Sequence, residues 1–177
     1  MITFPQRSAT MPALRTYGGT VAAHVRRWWV VYAGVLGAIA IFNAYFAIGV
    51  NATPSLAYTL CIIAKGDLNV RRGDLVAFRW HGGGPYPRGV VFTKIVRGLP
   101  GDDVTHRGRE LFVNGLPVGW AKPFSGQRTP LALGPTGVIP AGHYYVSGTH
   151  PDSLDSRYAL AGWIPREALI GRAYVVF

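Results

Sequence analysis

Apolar and polar positions divide the chain into two regimes. From Trp28 to Val50 the sequence WWVVYAGVLGAIAIFNAYFAIGV runs 23 residues without a charge, enough to cross a bilayer core of about 30 Å as a helix. Asn43 is its one strongly polar residue. Trp28, Trp29 and Tyr32 near one end and Tyr45 near the other have the placement of interfacial anchors. A cleaved signal sequence would have a shorter apolar core followed by a small-residue cleavage site; a buried helix of a soluble protein is the competing reading. The pattern predicts a basic tail over 1–27, unpatterned and expected to be mobile, a transmembrane anchor over 28–50, and a folded domain over 51–177.

Beyond Val50 the period changes to that of strands. Asp74–Trp80 and Gly89–Val96 read as β-strands separated by the turn-rich HGGGPYPR stretch. Glu110–Val113 and Leu116–Val118 flank Asn114-Gly115, a strong signal for a two-residue hairpin. His143–Val146 and Arg172–Phe177 are further strand candidates, whereas the Pro-, Gly- and Thr-rich stretch 122–142 reads as a long surface excursion. Short strands punctuated by Gly and Pro predict a mainly β fold, a small coiled antiparallel sheet or barrel-like domain after a single N-terminal membrane helix.

Composition sharpens this picture through the placement of charge. The formal charge is +10, but no Asp or Glu precedes Asp67, while Arg7, Arg15, Arg26 and Arg27 fall in the first 27 residues. His24, Arg26 and Arg27 lie directly before the apolar run, and no Lys or Arg follows it until Lys65. That asymmetry predicts an N-terminus in the cytoplasm and a domain on the far side of the membrane, with anionic lipid as a partner of the basic flank. The later basic residues are scattered singly, without the aromatic platforms of a nucleic-acid fold, so no nucleic-acid partner is expected. Cys61 is the only cysteine and sits in Leu60-Cys61-Ile62-Ile63, the setting of a buried apolar thiol.

Three segments could carry chemistry. The first, Asn51-Ala52-Thr53-Pro54-Ser55, begins where the anchor ends; it is either a hydroxyl nucleophile at the membrane surface or a polar helix stop with Pro as breaker. The second contains Lys94. On a strand, Val90, Phe92, Lys94 and Val96 share one face, so the amine is either desolvated, with its pKa lowered enough to act as a base, or it snorkels to water along its stem. Pro100-Gly101 fits the central positions of a type II turn. The third, Asp152-Ser153-Leu154-Asp155-Ser156-Arg157, reads alone as a polar turn or helix cap.

Taken together and in this order, the segments resemble the signal-peptidase superfamily of serine–lysine proteases. Lys94-x-x-x-Gly98-Leu99-Pro100-Gly101-Asp102 is similar to the family's lysine box, and Ser153-x-Asp155-Ser156-Arg157 to its C-terminal box. The resemblance implies a membrane-bound serine endopeptidase with Ser55 as nucleophile and Lys94 as general base. It further implies that Ser153 holds the lysine amine, that Thr53 donates to the oxyanion beside the Ser55 N–H, and that Asp155 orients the site with Arg157. Asn51-x-Thr53-x-Ser55, and the mere 60 residues between Lys94 and Asp155, resemble most closely the conjugative-transfer, TraF-like branch. The implied partner is a membrane-embedded precursor, a pilin or another protein with a signal segment, cut and in some members of the branch cyclised. No cofactor is implied, and no metal is expected because His24, His81, His106, His143 and His150 show no ligand spacing.

Two alternatives accompany this expectation. A general type I leader peptidase would use the same residues on other substrates. A catalytically silent, membrane-anchored assembly factor of a secretion or conjugation apparatus would keep the glycines and turns without needing Ser55, Lys94, Ser153 and Asp155 together.

Overall fold

The computed structural model describes residues 13–51 and 55–176, and side chains from Gly19 onward. The chain divides at Phe42 and Asn43 into a helical unit and a β unit. Helix α1, Ala13–Tyr45, contains the segment Gly19–Tyr45, 27 residues with a mean hydropathy of 1.5 and no residue of its most apolar window buried. It is long and apolar enough to cross a membrane, and a helix apolar on all sides with none of it covered is unusual in water. His24 Nε2 and Tyr32 Oη lie 2.9 Å apart two turns along one face.

The bounds of this element differ from the expected 28–50 at both ends. Helix extends back to Ala13, through much of the stretch expected to be unpatterned, because no proline interrupts the backbone ladder after Pro12. It stops at Tyr45 because Phe46–Val50 forms strand β1, whose backbone groups pair with β2, Leu60–Lys65, in the register Phe46↔Ala64 to Val50↔Leu60. An apolar run satisfies either periodicity, so its length alone does not reveal where helix gives way to strand.

The β unit holds two antiparallel sheets. The first has the order β1-β2-β11-β3-β4-β9-β10, with β3 Leu75–Arg79, β4 Val91–Gly98, β9 His143–Ser147, β10 Ile164–Pro165 and β11 Leu169–Val175. The second, β7-β6-β5-β8, is built from β5 Asp103–Arg107, β6 Glu110–Val113, β7 Leu116–Trp120 and β8 Gly137–Val138. Asn114 and Gly115, at φ 49° and 76°, make the two-residue hairpin between β6 and β7, with Val113 opposite Leu116. Such a turn needs two left-handed residues, which Asn and Gly adopt most cheaply.

The link between the sheets explains the Gly-Leu-Pro-Gly-Asp run. Asp102 N–H donates to Leu99 O at 3.0 Å and Gly101 takes φ 91°, closing the type II turn. The Asp102 carboxylate then accepts from Leu99 N–H at 2.6 Å, Arg72 at 2.7 Å and Asn114 Nδ2 at 2.7 Å. This turn is therefore a joint that fixes where β4 ends. One core lies under the first sheet around Val76, Phe78, Trp80, Val96 and Val146, and a second under the other sheet around Val104, Leu111, Val113 and Tyr145. The 122–142 stretch is largely exposed, as its composition predicts, except that Gly134 and Ile139 are buried, Ile139 in the second core with Leu131 and Leu133 packed against it. Strands β1, β2, β5, β8 and β10 have no counterpart in the sequence pattern.

Candidate active site

Lys94 is placed by the alternation of β4. Burial follows every second residue through Lys94, Val96 and Gly98, as a strand with one core face requires. Lys94 stands opposite fully buried Val76 of β3 and is itself 4% exposed, with Nζ 5.7 Å from the centre of the Phe92 ring. Burial therefore pushes the Lys94 amine down from 10.5 to about 8; the Asp155 carboxylate works against this shift and the Arg157 guanidinium adds to it. Of the two expectations for this side chain, the desolvated one describes the structure.

Ser55 lies in the loop between β1 and β2 and is also buried, at 9% exposure. Its carbonyl accepts from Thr149 N–H at 2.9 Å and His150 N–H at 3.3 Å, so the loop after β9 holds this residue by its backbone. Ser55 and Lys94 both line one cavity of about 400 Å³, together with Asn51, Thr93, His150 and Asp152. The cavity is mixed in character: Tyr86, Val90, Phe92 and Leu154 supply an apolar wall, the setting in which a few polar groups orient a bound chain. Thr53 lies outside the described residues.

Ser153, Asp155 and Arg157 come from the loop after β9. Asp155 and Arg157 form an ion pair with side chains 0% and 4% exposed, Oδ1 accepting from Nε and Oδ2 from Nη2, each at 2.8 Å. Asp155 Oδ2 also accepts from Gly148 N–H at 2.8 Å, while Arg157 reaches the carbonyls of Trp120, His150 and Ser153. A buried ion pair persists only when its remaining polar atoms are satisfied, and here they are satisfied by the backbone that shapes the site. The Ser153 hydroxyl is buried with no hydrogen-bond partner among the described residues.

Three further residues shape the site. Gly148 is one: a Cβ there would stand 2.3 Å from Ser153 Oγ and 2.7 Å from the Ser55 carbonyl oxygen. Both groups thus close on the space a side chain would fill. Asn51 is another, its Nδ2 donating to Leu56 O and Tyr58 O at 3.0 Å each, which folds the Ser55 loop on itself. Tyr58 is the third, donating to Thr93 Oγ1 at 2.5 Å. The Asn51 amide had a signal in its place within the Asn-x-Thr-x-Ser run; the other two are tertiary contacts with none. Among the described residues, no three His, Cys, Asp or Glu side chains gather closely enough to hold a metal ion.

Comparison with known proteins bears on what this geometry belongs to. The chain is 32% identical over 154 residues to signal peptidase I of Pseudomonas fluorescens, covering 66% of this chain and 51% of that protein. It is 30% identical over the same length to signal peptidase I of Pseudomonas aeruginosa PAO1, with the same coverage. The chain thus spans about half the length of these curated relatives. Among solved structures, a signal peptidase I from Enterococcus faecalis V583 aligns at 26% identity with a TM-score of 0.41, over 62% of this chain and 97% of that one. Residues 22–177 match the family described as signal peptidase, peptidase S26, and the chain belongs to that family.

Proposed function

We propose that this protein is a membrane-anchored serine endopeptidase that removes a signal or leader segment from an exported precursor, with Ser55 as nucleophile and Lys94 as general base. The observation that carries this is the shared cavity, in which a buried lysine with a lowered pKa lines the same space as Ser55. A neutral amine accepts the Ser55 proton as Oγ attacks the scissile carbonyl, and the resulting ammonium returns a proton to the leaving amine. Water then resolves the acyl-enzyme; an amine doing so instead would join the new ends. Ser153, whose buried hydroxyl keeps its hydrogen-bonding capacity, holds the Lys94 amine in line. Asp155 and Arg157 fix the loop that presents Ser153. The Ser55 N–H and the Thr53 hydroxyl stabilise the oxyanion, a term of about 2.7–4 kcal/mol per donor.

Helix α1 is the anchor in this proposal. Arg26 and Arg27 keep its N-terminal side in the cytoplasm near anionic lipid, and the β unit works on the periplasmic face of the inner membrane. The substrate proposed is the precursor of a conjugative pilus subunit, supported by Asn51-x-Thr53-x-Ser55 and by the single small sheet set between Lys94 and Asp155. General leader peptidase activity is the second reading, favoured by the two signal peptidase I relatives. Incubating the membrane-reconstituted chain with a pilin precursor and with a secretory preprotein separates these two by which is cut. Cleavage that survives Ser55→Ala or Lys94→Met overturns the serine–lysine mechanism, and no cleavage of either precursor leaves the silent assembly factor.

A further inference from the structure

The loop Asn51–Thr59 holds Ser55 but is not anchored by its own strand to Lys94. In the sheet, β1 and β4 are separated by β2, β11 and β3, and the β11–β3 ladder shifts register between Leu169 and Gly171. Ladder pairing through β1 thus reaches Lys94 across three intervening strands, and the shorter backbone route runs through the Thr149 and His150 N–H groups, just after β9, to the Ser55 carbonyl. Within the loop, Asn51 N–H donates to Thr59 O at 2.9 Å and Asn51 Nδ2 bonds the Leu56 and Tyr58 carbonyls. Those bonds tie Asn51 to the segment 56–59 that follows Ser55.

We propose that Tyr58 is a positioning residue for the proteolytic pair: its hydroxyl, bonded to Thr93 Oγ1, sets the spacing between the Ser55 loop and the strand that carries Lys94. The proposal rests on the serine–lysine mechanism above. Thr93 is the residue next to Lys94, so a tie to it acts on the catalytic lysine through one peptide unit, while its side chain points to the opposite face. The bond runs between side chains 35 residues apart in sequence, at 2.5 Å. Tyr58 stays protonated as a donor across the whole working range, because burial holds its phenol up at about 12, with Cys61 beside it adding to the rise and the Thr93 bond opposing it. The second anchor of the loop, from Thr149 and His150 to the Ser55 carbonyl, comes from the Ser153 side. Together the two hold the nucleophile from both flanks.

The test compares the full-length, membrane-reconstituted protein with Tyr58→Phe, Thr93→Val, Thr93→Ser and the double variant Tyr58→Phe/Thr93→Val, on whichever precursor the wild type cleaves. Tyr58→Phe and Thr93→Val each lower kcat about ten- to a hundredfold, the scale of a misplaced reacting group, with KM changed by no more than about twofold. The double variant is no slower than the slower single, since both remove one bond, and Thr93→Ser recovers most of the rate. Wild-type kcat in Tyr58→Phe, additive losses, or a loss carried by KM overturns the proposal. Amide hydrogen exchange over residues 55–59 gives a readout free of catalysis: faster in Tyr58→Phe and Thr93→Val, restored in Thr93→Ser. Unchanged exchange overturns the proposal, whereas loosened exchange beside a wild type that cuts no precursor supports the tie and counts against the peptidase mechanism alone.

Discussion

Asp155 and Arg157 are two residues apart in sequence and bonded at two points in the fold, with both side chains almost wholly out of water. Their pairing leaves Asp155 able to accept from the Gly148 N–H as well and leaves Arg157 donors for three carbonyls, that of Trp120 in β7 and those of His150 and Ser153 in the loop after β9. The pair therefore orders the loop that presents Ser153 by spending its donors on backbone. Removing one member has a different consequence from removing both.

Asp155→Ala strands the Arg157 guanidinium in the interior, and unpairing a buried charge costs about 3–5 kcal/mol. Thermal unfolding of Asp155→Ala should show a large fall in Tm. The double variant Asp155→Leu/Arg157→Met, which removes both charges, should recover part of that loss. A double variant as unstable as the single would mean that the backbone contacts of Arg157, not the ion pair, hold this loop.

How much of this site was legible in the chain depends on whether local periodicity decides it. The buried face of β4 was, because Phe92 and Val96 bracket Lys94 at the strand period. The turn at Pro100-Gly101 and the hairpin at Asn114-Gly115 were, because each needs a backbone conformation few residues adopt. The end of the helix was not, since Phe46–Val50 is apolar whether it continues a span or starts a strand. Neither was the crowding at Gly148 nor the Tyr58–Thr93 bond, which arise only when distant segments meet. Ile139 shows the same limit, a core residue inside a stretch whose composition reads as surface.

Gly148 offers a test of that crowding. A methyl group there would lie 2.3 Å from Ser153 Oγ, 2.7 Å from Ser153 Cβ and 2.7 Å from the Ser55 carbonyl oxygen; the hydroxyl can rotate away, but the Cβ and the carbonyl move only with their backbone. Gly148→Ala should therefore displace the Ser55 loop, lowering both Tm and the rate of precursor cleavage, since overpacking a tight site costs about 1–3 kcal/mol. Gly126→Ala, in open space on the excursion, is the control and should behave as wild type. Equal behaviour of the two variants would show that the 148–150 turn moves to make room.

The buried lysine makes the sharpest demand, because in the proposed mechanism one shifted pKa governs both rate and stability. As a base Lys94 must be neutral, so cleavage should rise with pH through about 8 and level off above it. For stability, the folded value of about 8 lies below the ordinary 10.5, so the folded state gives up its proton first. Below about pH 8 both states carry the ammonium and the full cost of burying it is present, about 3 kcal/mol; between 8 and 10.5 that cost fades. Lys94→Met keeps the apolar stem without the charge. It should be inactive, yet more stable than wild type near pH 7, with the difference vanishing as pH approaches 10.5. Chemical denaturation of both proteins across this range measures it directly. A Lys94→Met protein less stable than wild type at every pH would mean that the ammonium is held by favourable contacts, and a base poised by desolvation would then be the wrong account of this site.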